Sequence, residues 1–91
     1  MSYTIIDNKA QHRYELSLDG YTAYIEYALS GTEINLQHTE VPEALGGKGI
    51  GSALAQFALE TAIGASYSVI PSCPFIKKYM ERHEAYQSLL K

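Results

Sequence analysis

Four glycines fall within six residues at Gly46-Gly47-Lys48-Gly49-Ile50-Gly51, just ahead of a long apolar run. Glycine allows positive φ and lets the backbone come close to a ligand. A helix that starts directly after such a loop leaves its first amide N–H groups unpaired and points the positive end of its dipole at the loop. Together these features make an anion cradle of the kind that holds phosphates. The chain is therefore expected to bind a phosphorylated cofactor at this point.

Ahead of the loop the sequence reads as strands and turns. Tyr3 to Ile6 is a short β-branched and aromatic run ended by Asp7-Asn8. Tyr14, Leu16 and Leu18 alternate with Arg13, Glu15 and Ser17, which is the period-two pattern of a half-buried strand. Asp19-Gly20 signals a tight hairpin, Tyr21 to Leu29 a third strand, and Ser30-Gly31 another turn. Glu33 to Val41 follows as a fourth strand. Simple alternation puts Ile34, Leu36, His38 and Glu40 on one face and Asn35, Gln37, Thr39 and Val41 on the other.

Behind the loop the period changes. Ser52, Gln56 and Glu60 recur every four residues, tracing one narrow polar stripe on a helix from Gly49 to Ile63. Gly64 is the expected C-cap. Tyr67 to Ile70 forms a short strand stopped by Pro71, and Pro74 suits the first turn of a second helix reaching Arg82. A last amphipathic stretch, Glu84 to Leu90, returns Tyr86, Leu89 and Leu90 to the core. A meander followed by strand, helix and strand implies one parallel pair in a mixed α+β sheet. The glycine loop sits at the carboxyl end of the first strand of that pair, where ligands of α/β sheets characteristically lie.

The 91 residues suit one domain spanning positions 1–91. A net charge of −3 supplies no basic stripe for nucleic acid, and no apolar run reaches membrane-spanning length. Cys73 is the single cysteine, which leaves no intrachain disulfide or cysteine-based zinc site. The histidines are scattered without metal-ligand spacing. A reducing, cytoplasmic setting is the expectation.

The loop fails the common nucleotide templates. A P-loop needs Ser or Thr after Gly-Lys, but Gly49 follows Lys48. The dinucleotide pattern would require glycine or alanine where Ser52 or Leu54 stands, according to where it begins. In contrast, His38-Thr39-Glu40-Val41-Pro42, then Ala44-Leu45 and Gly47-Lys48-Gly49-Ile50-Gly51, resembles the central motif of the GNAT superfamily of N-acetyltransferases. With the Asp19-Gly20 hairpin, Cys73-Pro74-Phe75 and Tyr79, the resemblance extends over nearly the whole chain, to the small single-domain GNAT-like subgroup. It implies a truncated GNAT fold that lacks the two helices usually following the first strand. Gly46 stands where the family usually carries Arg or Gln, and Glu84 where relatives tend to have proline.

The resemblance further implies acetyl-coenzyme A as cofactor. Its pyrophosphate would rest on the amides of Gly46, Gly47, Lys48, Gly49, Ile50, Gly51 and Ser52, and its pantetheine would run along Thr39 to Val41. A backbone N–H near Val41 would polarise the thioester carbonyl. Cys73 precedes Pro74 and so should be an N-cap, a position that favours a thiolate. It is the candidate acyl-accepting nucleophile, with His38 as base; a cysteine that only packs is the competing reading. Glu40 is an alternative base acting through water, and His38 is equally readable as a structural histidine. Tyr79 matches a tyrosine that protonates the departing thiolate in the family, unless it serves only to pack the core. The expected activity is acetyl transfer to an amine, whether a small molecule or a protein lysine. The alternative is a module that holds acyl-coenzyme A without turnover. Oligomeric state is left open.

Overall fold

A computed structural model describes residues 3–91 of the chain. Five strands form one sheet in chain order: β1 (Ile6–Asn8), β2 (Arg13–Leu18), β3 (Tyr21–Ser30), β4 (Glu33–Glu40) and β5 (Ser68–Ile70). The first four pair antiparallel, and β5 runs parallel to β4. Between them lie a single 3-10 turn (Glu43–Leu45) and the helix α1 (Ile50–Ala65). After β5 come α2 (Pro74–Arg82) and a 3-10 segment (Glu84–Leu89). This is the mixed α+β architecture expected from the pattern of elements, with the GNAT-like form that the family resemblance implies.

Local chemistry explains most of these elements. Asp19 and Gly20 both take positive φ, 52° and 80°, matching the hairpin turn whose twist suits two antiparallel strands. Along α1, Ser52, Gln56 and Glu60 are all exposed, while Leu54, Ala55, Ala58, Leu59 and Ala62 are buried against the sheet. Tyr14, Leu16, Ala23, Ile25, Ile34 and Leu36 supply the facing side of the core. Ile76 and Met80 of α2 and Tyr86 join the same cluster. The register places Arg13, Glu15, Tyr24 and Glu26 on the opposite face of the sheet.

Three local expectations are corrected. The first strand lies at Ile6–Asn8 rather than from Tyr3 to Ile6. Asn8 extends the pairing because its side-chain amide donates to Glu15 at 3.1 Å and its Oδ1 accepts from the Gln11 N–H at 3.2 Å. The helix does not stop at Gly64 but runs to Ala65, and Ser66 closes it in a left-handed conformation, φ 59°, with its N–H on Ala62 and Ile63 carbonyls. Leu90 points to solvent and is 48% exposed, although its backbone bridges to Val69; only Tyr86 and Leu89 of the tail return to the core.

Candidate active site

A bulge in β4 sets the geometry of the site. Glu26 pairs with His38 but Tyr27 pairs with Leu36, so Gln37 is an extra residue with no partner on β3. A one-residue slip moves every following side chain to the other face. Ile34 and Leu36 are buried, yet His38 and Glu40 do not share their face as simple alternation predicts. Thr39, opposite the buried Ile25, turns inward instead, and Val41 packs against the core. His38 and Glu40 turn outward, about half exposed, and meet each other at 3.0 Å between Nε2 and Oε1.

The same strand loses its parallel neighbour at this point. β5 pairs only with Glu33, Ile34 and Asn35, and then the Cys73 N–H donates to the Leu36 carbonyl at 2.9 Å. Beyond Leu36 no strand among the described residues covers that edge of β4. The sheet parts there, and Cys73 stands in the crotch. It is the N-cap of α2, with φ −73° and ψ 123°, and Pro74 follows as the first helical residue. Its thiol is buried, 4% exposed, and lies 3.3 Å from the Thr39 hydroxyl. The sheet thus brings Cys73 together with Thr39 and holds His38 on the far side of the strand. The expected Cys73–His38 pairing is overturned by the bulge.

The glycine loop lies between the outgoing end of β4 and α1. Leu45, fully buried, anchors it, and the Tyr3 hydroxyl holds the Lys48 carbonyl at 2.8 Å. Gly47 and Gly49 take φ of 74° and 72°, and Gly49 is the N-cap of α1. A Cβ at either position would meet nothing within 4 Å, so there is open space over the loop. The first helical bond runs from Ala53 N–H to the Gly49 carbonyl, with no side chain capping the helix. The amides of residues 47 to 52 therefore have no partner among the described residues. Gly46 differs from expectation: its N–H is already held by the Glu43 carbonyl at 3.0 Å.

The first turn of α1 faces α2. A Cβ on Gly51 would lie 3.1 Å from the Phe75 ring, so glycine is what allows the two helices to approach here. Beside them a cavity of about 140 Å³ is lined by Ser52, Phe75, Lys78, Tyr79, Arg82 and His83. Tyr79 stacks on His83 with ring centres 4.0 Å apart, and the His83 Nδ1 lies 2.7 Å from the Tyr79 carbonyl. Burial, then the Glu60 carboxylate, raises the Tyr79 phenol above its ordinary value, which keeps it a proton donor. Lys78 and Arg82 were not singled out as ligands from sequence. Their four-residue spacing on one helix face, shared by Tyr79 and His83, is the signal that brings them together.

The chain is similar in sequence and fold to known proteins. The Xenopus tropicalis protein NATD1 is 29% identical over 91 residues, covering 97% of this chain and 84% of its own. The Mus musculus NATD1 is 32% identical over 85 residues, covering 90% and 77%. The solution NMR structure of a GCN5-like protein from Staphylococcus aureus superposes with a TM-score of 0.76 at 30% identity, covering 100% of this chain and 91% of that one. The sequence pattern of the GCN5-related N-acetyl-transferases matches residues 13–89, from the start of β2 through the last 3-10 segment. The chain belongs to the GCN5-related N-acetyl-transferase family.

Proposed function

We propose that this protein takes an acetyl group from acetyl-coenzyme A and delivers it to an amine. The family generally uses acetyl-coenzyme A, and one observation of this chain carries the reading to it. A consecutive run of amides unpartnered among the described residues, 47 to 52, with open space over Gly47 and Gly49, lies at the same end of the sheet where β4 and β5 part. The diphosphate would be held by these amides and by the α1 dipole, with Lys48 adding charge. Pantetheine would lie along the uncovered edge of β4 at Thr39 and Val41, and the acetyl group would reach the crotch occupied by Cys73.

The thioester supplies an activated acetyl group. Cys73 attacks its carbonyl carbon, a new sulfur–carbon bond forms, and the bond to the coenzyme A sulfur breaks. The departing thiolate receives a proton from Tyr79, whose raised pKa keeps it protonated at neutral pH. The proton lost by Cys73 passes through the Thr39 hydroxyl to solvent, from which Tyr79 is reprotonated. In the second half an amine attacks the acetyl-cysteine carbonyl, the carbon–sulfur bond breaks, and the leaving Cys73 thiolate recovers a proton through Thr39. The amine's proton passes by way of water round the uncovered edge of β4 to the outward His38–Glu40 pair. Direct attack of the amine on the thioester would use the same pair and leave Cys73 unmodified.

A second reading, a module that binds acyl-coenzyme A without turnover, draws on the 4% exposure of Cys73 and its separation from His38. Intact-mass measurement after mixing with acetyl-coenzyme A tests these readings. An acetylated Cys73 that is later discharged by an added amine supports the covalent route. Acetylated amine with an unmodified cysteine indicates direct transfer, and bound but unreacted cofactor indicates the module. No bound cofactor overturns the proposal.

A further inference from the structure

At the other end of α1, nine residues and about 14 Å of helix beyond Ser52, a cavity of about 450 Å³ opens beside Thr61. Its polar side is made by Asp7, Tyr14, Tyr27 and Tyr67, and its apolar wall by Leu29 and Ile34. Tyr27 donates to the Asp7 carboxylate at 2.6 Å, and the Tyr14 and Tyr27 rings lie 4.8 Å apart. Tyr14, which lines the cavity, is 2% exposed, and its hydroxyl makes no side-chain hydrogen bond among the described residues.

We infer that this cavity is a binding site for the ammonium group of a small amphipathic amine, separate from the acyl-transfer site. Asp7 forms no ion pair among the described residues, and its carboxylate is held at the cavity by the Tyr27 hydroxyl. Burial and then Asp7 hold Tyr14 protonated, raising it to about 12, so the carboxylate reaches that hydroxyl electrostatically. An ammonium donates three N–H groups and is attracted to tyrosine rings. Asp7 and the free Tyr14 oxygen can accept from it, while a short alkyl body lies on Leu29 and Ile34. Lys9 and His12 also border the cavity, and like Asp7 both are exposed, but the lysine stem carries its charge out to water whereas the Asp7 carboxylate is fixed by the Tyr27 hydroxyl. The exposed Leu29, 45% accessible, acquires an apolar partner in this arrangement.

The test uses isopentylammonium, isopentanol and isovalerate as probes, followed by the tyrosine ring signals in NMR. Saturable shifts of Tyr14, Tyr27 and Tyr67 with isopentylammonium alone are expected. Asp7→Asn, at an exposed position, should weaken them at least tenfold, and Tyr14→Phe severalfold, with coenzyme A binding unchanged in both. The inference is overturned by the absence of saturable shifts, by equal shifts with isopentanol or isovalerate, or by an Asp7→Asn protein that binds as the parent does. Because coenzyme A is titrated separately, failure here is distinguishable from failure of the acyl-transfer proposal.

Discussion

The Cys73 thiol faces the Thr39 hydroxyl at 3.3 Å, across the point where two parallel strands separate. The pair sits on the inner side of the sheet because Gln37 is bulged out of the ladder. A thiol in this position has a hydroxyl to exchange its proton with and an opening that leads to the glycine loop. Replacing Thr39 by Val should remove that partner and cost about 1 kcal/mol of stability. It should slow acetylation of Cys73 while leaving coenzyme A affinity within a few-fold, as separate kinetic and calorimetric measurements would show.

His38 and Glu40 should act on the amine and not on the cysteine. Their mutual contact is 3.0 Å, both are about half exposed, and the strand itself lies between them and Cys73. His38→Ala and Glu40→Gln are each expected to leave the rate of Cys73 acetylation unchanged and to slow its discharge by an added amine. Slower acetylation in either variant would contradict this division.

Two glycines separate backbone roles from packing. Gly49 holds φ 72° at the N-cap, so Gly49→Ala should cost about 1–2 kcal/mol and weaken coenzyme A binding by displacing the amides that follow. Gly64 lies inside α1, exposed and with open space around it. Gly64→Ala should raise stability by about 0.5–1 kcal/mol without touching coenzyme A binding. Thermal melting of both variants with and without coenzyme A checks the contrast.

Alkaline stability should report on Tyr86. Burial and its hydrogen bond to Glu60 raise the phenol from 10.0 to about 12 in the folded chain. The neutral phenol is therefore favoured by folding. That contribution is fully present below pH 10 and is lost as pH rises through about 12. A Tyr86→Phe protein should start less stable, because the Glu60 bond is gone. It should also lose less stability than the parent between these two pH values, measured by urea unfolding.

The elements with strong periodicity or fixed punctuation were legible in the residues. The stripe of Ser52, Gln56 and Glu60 gives the orientation of α1, Asp19-Gly20 gives the hairpin, and Pro74 gives both the start of α2 and the N-cap role of Cys73. The bulge was not legible. Gln37 carries no glycine or proline to mark it, and alternation over Ile34 and Leu36 extends naturally to His38 and Glu40. Only the pairing with β3 reveals the slip. The left-handed Ser66 was hidden in the same way, since the nearby Gly64 offers the stronger C-cap signal. Tyr14 and Tyr27 meet because the hairpin register makes them diagonal neighbours on one face, which no local pattern announces.

The bare amides of the glycine loop are the centre of the proposed coenzyme A site. Titration of the isotopically labelled protein with coenzyme A, followed through the backbone amide resonances, examines them one residue at a time. Saturable shifts concentrated at Gly47 through Ser52, with Gly46 much less affected because Glu43 already holds its N–H, are the predicted result. Resonances of 47 to 52 that stay fixed at saturating coenzyme A, or shifts confined to another part of the chain, would contradict it.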